Sequence, residues 1–182
     1  MLLVVDNGSV YTDSIISCLE VLGEDHRRVR FDEIAGGDLE GAGSIILSGR
    51  RRNDASMNAT NSRLVRYAVS SGKPLLGICY GAEILAITLG GTIRRMERPR
   101  HGLYGARVVM ENPLCSGRME VFESHSYRVA ALDSRFETLA VSDGCPHEAF
   151  RYGRSGIYGT QFHPEMSGDG RELIKNFTRS RN

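Results

Sequence analysis

The chain reads as an α/β protein, a single domain over residues 1–182 with a mixed, mostly parallel sheet. Helices are expected on both faces of that sheet, with an insertion of antiparallel strands. Three observations predict this. Through the first half, short apolar or β-branched runs alternate with segments of helical spacing, the order that builds parallel sheets. After Gly90-Gly91 the texture changes to closely spaced strand-like runs with turns between them and little helix. No repeat, low-complexity stretch or linker divides the 182 residues, a length at which one domain buries a substantial core.

Residues 2–5 open the chain as a strand. The start, Met1-Leu2-Leu3-Val4-Val5-Asp6, has no basic flank and runs straight into turn residues, unlike a signal peptide. Residues 14–22, 61–69 and 82–89 repeat apolar side chains at three and four and predict helices. Between them, 27–31, 44–47 and Leu75–Ile78 are the remaining strands of a parallel half. Runs at 105–110, 119–122, 128–132, 137–141 and Ala149–Tyr152 predict antiparallel or mixed strands, and 156–162 returns to the sheet. Residues 171–178 close the chain as a helix. In a doubly wound sheet the ligand crevice lies at the carboxyl ends of strands. Ser48-Gly49, Cys79 and His163 each follow a strand and are expected to converge there.

Gly77-Ile78-Cys79-Tyr80-Gly81 sits at a strand-to-helix switch. A tight turn that holds a nucleophile in a strained conformation needs small neighbours two positions either side. The positive end of the following helix favours a thiolate. Near the C-terminus lies Gln161-Phe162-His163-Pro164-Glu165. A thiol nucleophile needs a base, and the base needs a partner that fixes its tautomer. Residues two apart in an extended segment face the same side. His163 and Glu165 are therefore expected to project together and, with Cys79, to form a Cys-His-Glu triad.

The formal net charge of +1 argues against general binding to nucleic acid or a membrane surface. No apolar run approaches the roughly 20 residues that cross a bilayer. Cys18, Cys79, Cys115 and Cys145 form no C-x-x-C pair, which fits a reduced, cytoplasmic setting better than a zinc ribbon or redox motif. His125 could suggest metal binding together with His163, but it reads as having no carboxylate or Cys at ligand spacing around it, so no metal site is expected. His26, His101 and His147 read as surface or structural residues. Asp6-Asn7-Gly8 reads as turn chemistry.

The G-x-C-x-G elbow and the distant H-P-E, in this order, resemble the class I glutamine amidotransferases over nearly the whole chain. The likeness passes through Asp6-Asn7-Gly8, Ser48-Gly49 and Ser124-His125. The D-N-G opening, the elbow as C-Y-G and Cys145-Pro146-His147-Glu148-Ala149 look most like the free-standing glutaminase subunits of GMP synthases. The resemblance implies a flavodoxin-like fold. It also implies hydrolysis of L-glutamine by Cys79, His163 and Glu165. Ammonia would pass to a separate ATP-dependent synthetase subunit that converts XMP to GMP, in a heterodimer. It implies no cofactor on this chain, with ATP and magnesium on the synthetase partner. No phosphate-binding G-x-x-x-x-G-K loop is present, and the length leaves no room for a second catalytic domain.

Backbone donors of Tyr80, Gly49 and Arg50 are the expected oxyanion hole, and Glu83, Ser126 and Tyr127 the candidate substrate contacts. The chain departs from the family at several of these. Arg50 stands where the S-G-G-P turn has its second glycine, and Glu83 where most relatives have Gln. Phe122 and Tyr127 replace the Trp and Asp of W-x-S-H-x-D. Arg50-Arg51-Arg52 reads mainly as a solvated loop, and so do Arg94, Arg95, Arg98 and Arg100, with a docking face as their other reading. Alternatives to the leading function are the glutaminase component of another synthase, for example a chorismate-using one, and a non-catalytic regulatory module. A cysteine hydrolase of another amide or γ-glutamyl bond also stays open.

Overall fold

Consecutive residues of the first strand point to opposite faces, and both faces are buried. Leu2 and Val4 pack into one hydrophobic cluster, Leu3 and Val5 into another. A computed structural model, which describes residues 1–180, places β1 (Leu2–Asn7) beside β2 (His26–Arg30) and β3 (Ser44–Arg50), all parallel. β3 pairs in parallel with β4 (Leu75–Ile78), and β4 with β9 (Ile157–Thr160). The remaining strands, β5 (Thr92–Val108), β6 (Arg118–Ala131), β7 (Phe136–Val141) and β8 (Ala149–Tyr152), are antiparallel. One nine-stranded sheet results, in the order β2-β1-β3-β4-β9-β8-β7-β5-β6.

The helices α1 (Thr12–Val21) and α5 (Gly168–Arg179) bury Ile15, Leu19, Leu173 and Phe177 against Leu2, Val4, Ile46 and Leu76. On the other face α3 (Ala55–Ser71) and α4 (Tyr80–Thr88) bury Leu64, Val65 and Leu85 against Leu3, Val5, Ile45 and Leu75. Two-sided burial is why these strands read as continuous apolar runs.

Several elements differ from the sequence expectation. α3 begins at Ala55, ahead of the expected 61, because the Asp54 side chain accepts from Met57 N at 2.8 Å and caps a first turn that buries Met57. A short helix, α2 (Gly36–Gly41), was not expected, since two glycines open it. The runs 119–122 and 128–132 are one strand, β6. The basic stretch read as a solvated loop belongs to β5, which pairs with β6 on both sides of an irregularity between Arg95 and Arg100. Arg100 is not solvated: its side chain is 16% exposed and bonds Glu123 at 2.6 Å.

Candidate active site

Cys79 links β4 to α4 at φ 52° and ψ −105°, the one non-glycine residue with positive φ among the described residues. Its N–H donates to Thr160 O at 2.7 Å, which ties the elbow to the end of β9. The turn leaves no space for side chains beside it. A Cβ on Gly77 would lie 2.5 Å from Gly81 O, and one on Gly81 would run into Leu47 O.

His163 and Glu165 are almost wholly buried. The His163 N–H donates to Phe122 O at 2.8 Å, which fixes its backbone against β6. Nδ1 lies 2.8 Å from Glu165 Oε1, so Nδ1 carries a proton toward the carboxylate and Nε2 is left for the hydrogen bond with Cys79. The pair does not lie on an extended segment as expected. Pro164–Met166 is a single 3-10 turn, and within it Glu165 reaches back to the Nδ1 edge of the ring. Burial alone would lower the His163 pKa. The Cys79 sulfur, and then Glu165, outweigh it and lift the imidazole to about 10.

Gly49 backs onto the same ring, since a Cβ there would lie 3.0 Å from His163 Cε1. Arg50 avoids the left-handed backbone region, so replacing glycine leaves no strain there. Its guanidinium stacks 4.2 Å over the Tyr80 ring and bonds Asn58 Oδ1 at 3.1 Å, while Tyr80 Oη donates to the same oxygen at 2.8 Å. Burial pushes the Tyr80 phenol up to about 12. Arg51 and Arg52 are exposed, as expected of a solvated loop. The Tyr80 N–H lies at the first position of α4, where helical N–H groups have no intrahelical partner.

Cys79, Tyr80, Arg50, Glu83, Ser126 and Tyr127 line one cavity of about 310 Å³, together with Ser124 and His125. Glu83 is 5% exposed, and burial raises its carboxyl above the usual range. Gln161 Nε2 donates to it at 3.4 Å, while Gln161 Oε1 accepts from Val129 N at 2.8 Å.

Two contributors escaped the sequence reading. Tyr11 sets its ring edge-on to His163, centroids 4.6 Å apart, and its hydroxyl donates to Ser124 Oγ at 3.3 Å. Asn7 is buried and braces the Ser48-Gly49 turn. Its N–H donates to Ser48 Oγ at 2.9 Å and its Nδ2 to Ser48 O at 3.0 Å. It also exchanges hydrogen bonds with Asn61. Turn chemistry accounts for Gly8, at φ 79°, but not for Asn7. The available signal was a polar residue that directly prolongs an apolar strand. Among the described residues no cluster of three or more His, Cys, Asp or Glu could hold a metal, and no helix is long and apolar enough to cross a membrane.

This constellation of elbow, buried imidazole and carboxylate on a doubly covered α/β sheet has a family. The chain belongs to the class I glutamine amidotransferases, whose sequence model matches residues 3–180. Within that family it is similar to a free-standing, glutamine-hydrolysing GMP synthase subunit of Pyrococcus furiosus, at 31% identity over 98% of this chain and 97% of that protein. The corresponding Methanocaldococcus jannaschii protein is 32% identical over 97% of this chain and 95% of its own. The GMP synthase of Aquifex aeolicus is 34% identical over 97% of this chain, which matches 35% of that longer protein. Among solved structures, a Thermoplasma acidophilum protein proposed to be the same GMP synthase component superimposes with a TM-score of 0.89. It is 29% identical, over 99% of this chain and 92% of that one. A glutamine amidotransferase from Thermotoga maritima shares the fold, with a TM-score of 0.78 at 20% identity over 98% of this chain and 82% of that one.

Proposed function

We propose that this chain is the glutaminase subunit of a two-subunit GMP synthase, hydrolysing L-glutamine to glutamate and ammonia. The observation that carries the reading is Cys79 on a strained elbow beside an imidazole whose other nitrogen is held by Glu165 at 2.8 Å. The Cys79 thiolate attacks the side-chain carbonyl carbon of glutamine, and the π electrons pass to the carbonyl oxygen. Backbone N–H groups of Tyr80 and of the Gly49-Arg50 turn stabilise that oxyanion. The tetrahedral species collapses as the C–N bond breaks, and His163 gives its Nε2 proton to the departing nitrogen as ammonia leaves. Water then adds to the thioester carbonyl while His163 takes its proton, and the C–S bond breaks to release glutamate and restore the thiolate. Glu83, Ser126 and Tyr127 line the cavity that would hold the amino-acid part of the substrate.

Ammonia is consumed on a separate synthetase subunit that uses ATP and magnesium to aminate XMP. The full-length likeness to proteins that are single subunits of GMP synthase supports this partner, as does the match to only part of the longer Aquifex enzyme. The test is ammonia release from glutamine by the purified chain and by Cys79→Ala, each with and without a candidate synthetase and XMP. Turnover abolished in Cys79→Ala and GMP formed only with the synthetase are expected. Ammonia released at an unchanged rate by Cys79→Ala would overturn the assignment.

A further inference from the structure

Behind the wall of the cavity lies a buried charge cluster that the reaction above does not use. The His125 side chain is 2% exposed and forms part of that wall. Its Nδ1 lies 2.7 Å from Tyr127 O and its Nε2 3.0 Å from Glu123 Oε2. A carbonyl and a carboxylate only accept, so both ring nitrogens face acceptors and each is placed to donate. Glu123 is fully buried, and its other oxygen accepts from Arg100 Nη1 at 2.6 Å. The same nitrogen stands 3.9 Å from a second fully buried carboxyl, Glu148. Gly144 leaves the room that the Arg100 guanidinium occupies, since a Cβ there would collide with it.

Glu148 Oε1 accepts from Ser142 Oγ at 2.6 Å, while no donor reaches Oε2. An acceptor without a donor, buried beside another carboxylate, is satisfied when it carries the proton itself. The electrostatics agree. Burial and then the charge of Glu123 push Glu148 up to about 8. Burial also works on Glu123, but the hydrogen bond and charge of His125 and the charge of Arg100 hold it below the usual range.

We propose that Glu148 carries a proton on Oε2 and donates it to Glu123, and that these two with Arg100 are positioning residues that fix His125 as a cation in the substrate cavity. The inference rests on the glutaminase reading for its substrate, though not for its geometry. A fixed positive charge beside Glu83 suits a substrate bearing a carboxylate, as an amino acid does. It offsets repulsion from Glu83, whose proximity to His125 is felt electrostatically. Other charged or titratable groups facing the cluster are Tyr104, whose ring lies 4.5 Å from the Arg100 guanidinium, Arg128, bound to Gly144 O, and Cys145.

The test combines nitrogen NMR of the histidine rings with glutamine kinetics on the full chain. In the unaltered protein at pH 7 both His125 nitrogens should be protonated. Glu148→Gln puts an amide N–H where the carboxyl proton is placed and keeps the acceptor for Ser142. It should leave His125 and KM within about twofold of the unaltered protein. Glu148→Ala and Glu123→Gln should raise KM about tenfold or more with kcat changed far less. KM should climb above about pH 8 in the unaltered protein, as Glu148 ionises, and stay flat in Glu148→Gln. A His125 ring with one bare nitrogen at pH 7, or Glu148→Gln and Glu148→Ala behaving alike, would overturn the proposal. Absence of any glutaminase activity would count against the function alone, and the ring spectra would still decide the cluster.

Discussion

Cys79 occupies a backbone region that glycine enters freely and other residues enter under strain. Reactivity and stability are therefore opposed at this position. Cys79→Gly is expected to abolish turnover yet resist denaturant better, by about 1 kcal/mol, whereas Cys79→Ser keeps the strain and gains nothing. Paired urea titrations would check this. His163 has a pKa raised from 6.5 to about 10, so the folded protein holds its proton more tightly than the unfolded chain. The stabilisation is complete below about pH 6.5 and is lost as pH rises through about 10. Because Cys79 is the leading cause that raises it, Cys79→Ala should move the His163 titration to lower pH, as read from its ring resonances. Glu83 is shifted up by burial, so the fold favours its neutral form and stability falls as pH rises above the usual 4.5. Glu83→Gln should therefore melt at a higher temperature than the unaltered protein at pH 7, with the gain vanishing toward pH 4.5. A simultaneous change in KM for glutamine would mark Glu83 as a substrate contact, and an unchanged KM would leave it a buried helix-end acid. At this scale the elbow and the H-P-E were legible because their chemistry is local in sequence. Asn7 with Ser48, Tyr11 with His163 and Arg100 with Glu123 were not, because each pair is made only by tertiary structure.

The elbow works as an element because two glycines let α4 sit directly on β3 and β4. Gly81→Ala would drive a methyl group into Leu47 O, a backbone atom that cannot swing aside. A loss of about 2–3 kcal/mol and a collapse of glutamine turnover are expected, measurable by thermal unfolding and ammonia release. Gly156, at the far end of β4 from the elbow, whose Cβ would come no nearer than 3.3 Å to the Pro74 side chain, should tolerate alanine far better. The parallel strands could be read from sequence because both faces are covered. β5 and β6 could not be bounded, since much of β5 is solvent-exposed and its charged side chains follow no clear alternation. Residues 181–182, at the very end of the expected domain, lie outside the described residues.

Across the whole molecule, the sheet brings Ser48-Gly49, Cys79 and His163 to one edge, because β3, β4 and β9 are consecutive and parallel. That convergence was legible because each of the three segments directly follows a strand, while the adjacency of β3, β4 and β9 was not. Arg50, stacked on Tyr80, and the exposed Tyr127 at the cavity mouth are residues where the chain departs from its family. The isolated chain is expected to be a slow glutaminase that accelerates at least about tenfold when a synthetase docks with its nucleotide bound. Steady-state ammonia release with increasing synthetase checks it, and a full rate without partner would refute it.

β9 is the last strand in the chain, yet it is inserted between β4 and β8 rather than added at a margin. Its pairing with β4 closes a loop of roughly 80 residues, the kind of contact that forms late and slowly. Until that closure Cys79 lacks both the Thr160 carbonyl that anchors it and its hydrogen bond to the His163 imidazole. A growing or truncated chain thus carries a Cys79 without these partners and a gap in the middle of its sheet. Hydrolytic competence becomes a readout of completed folding.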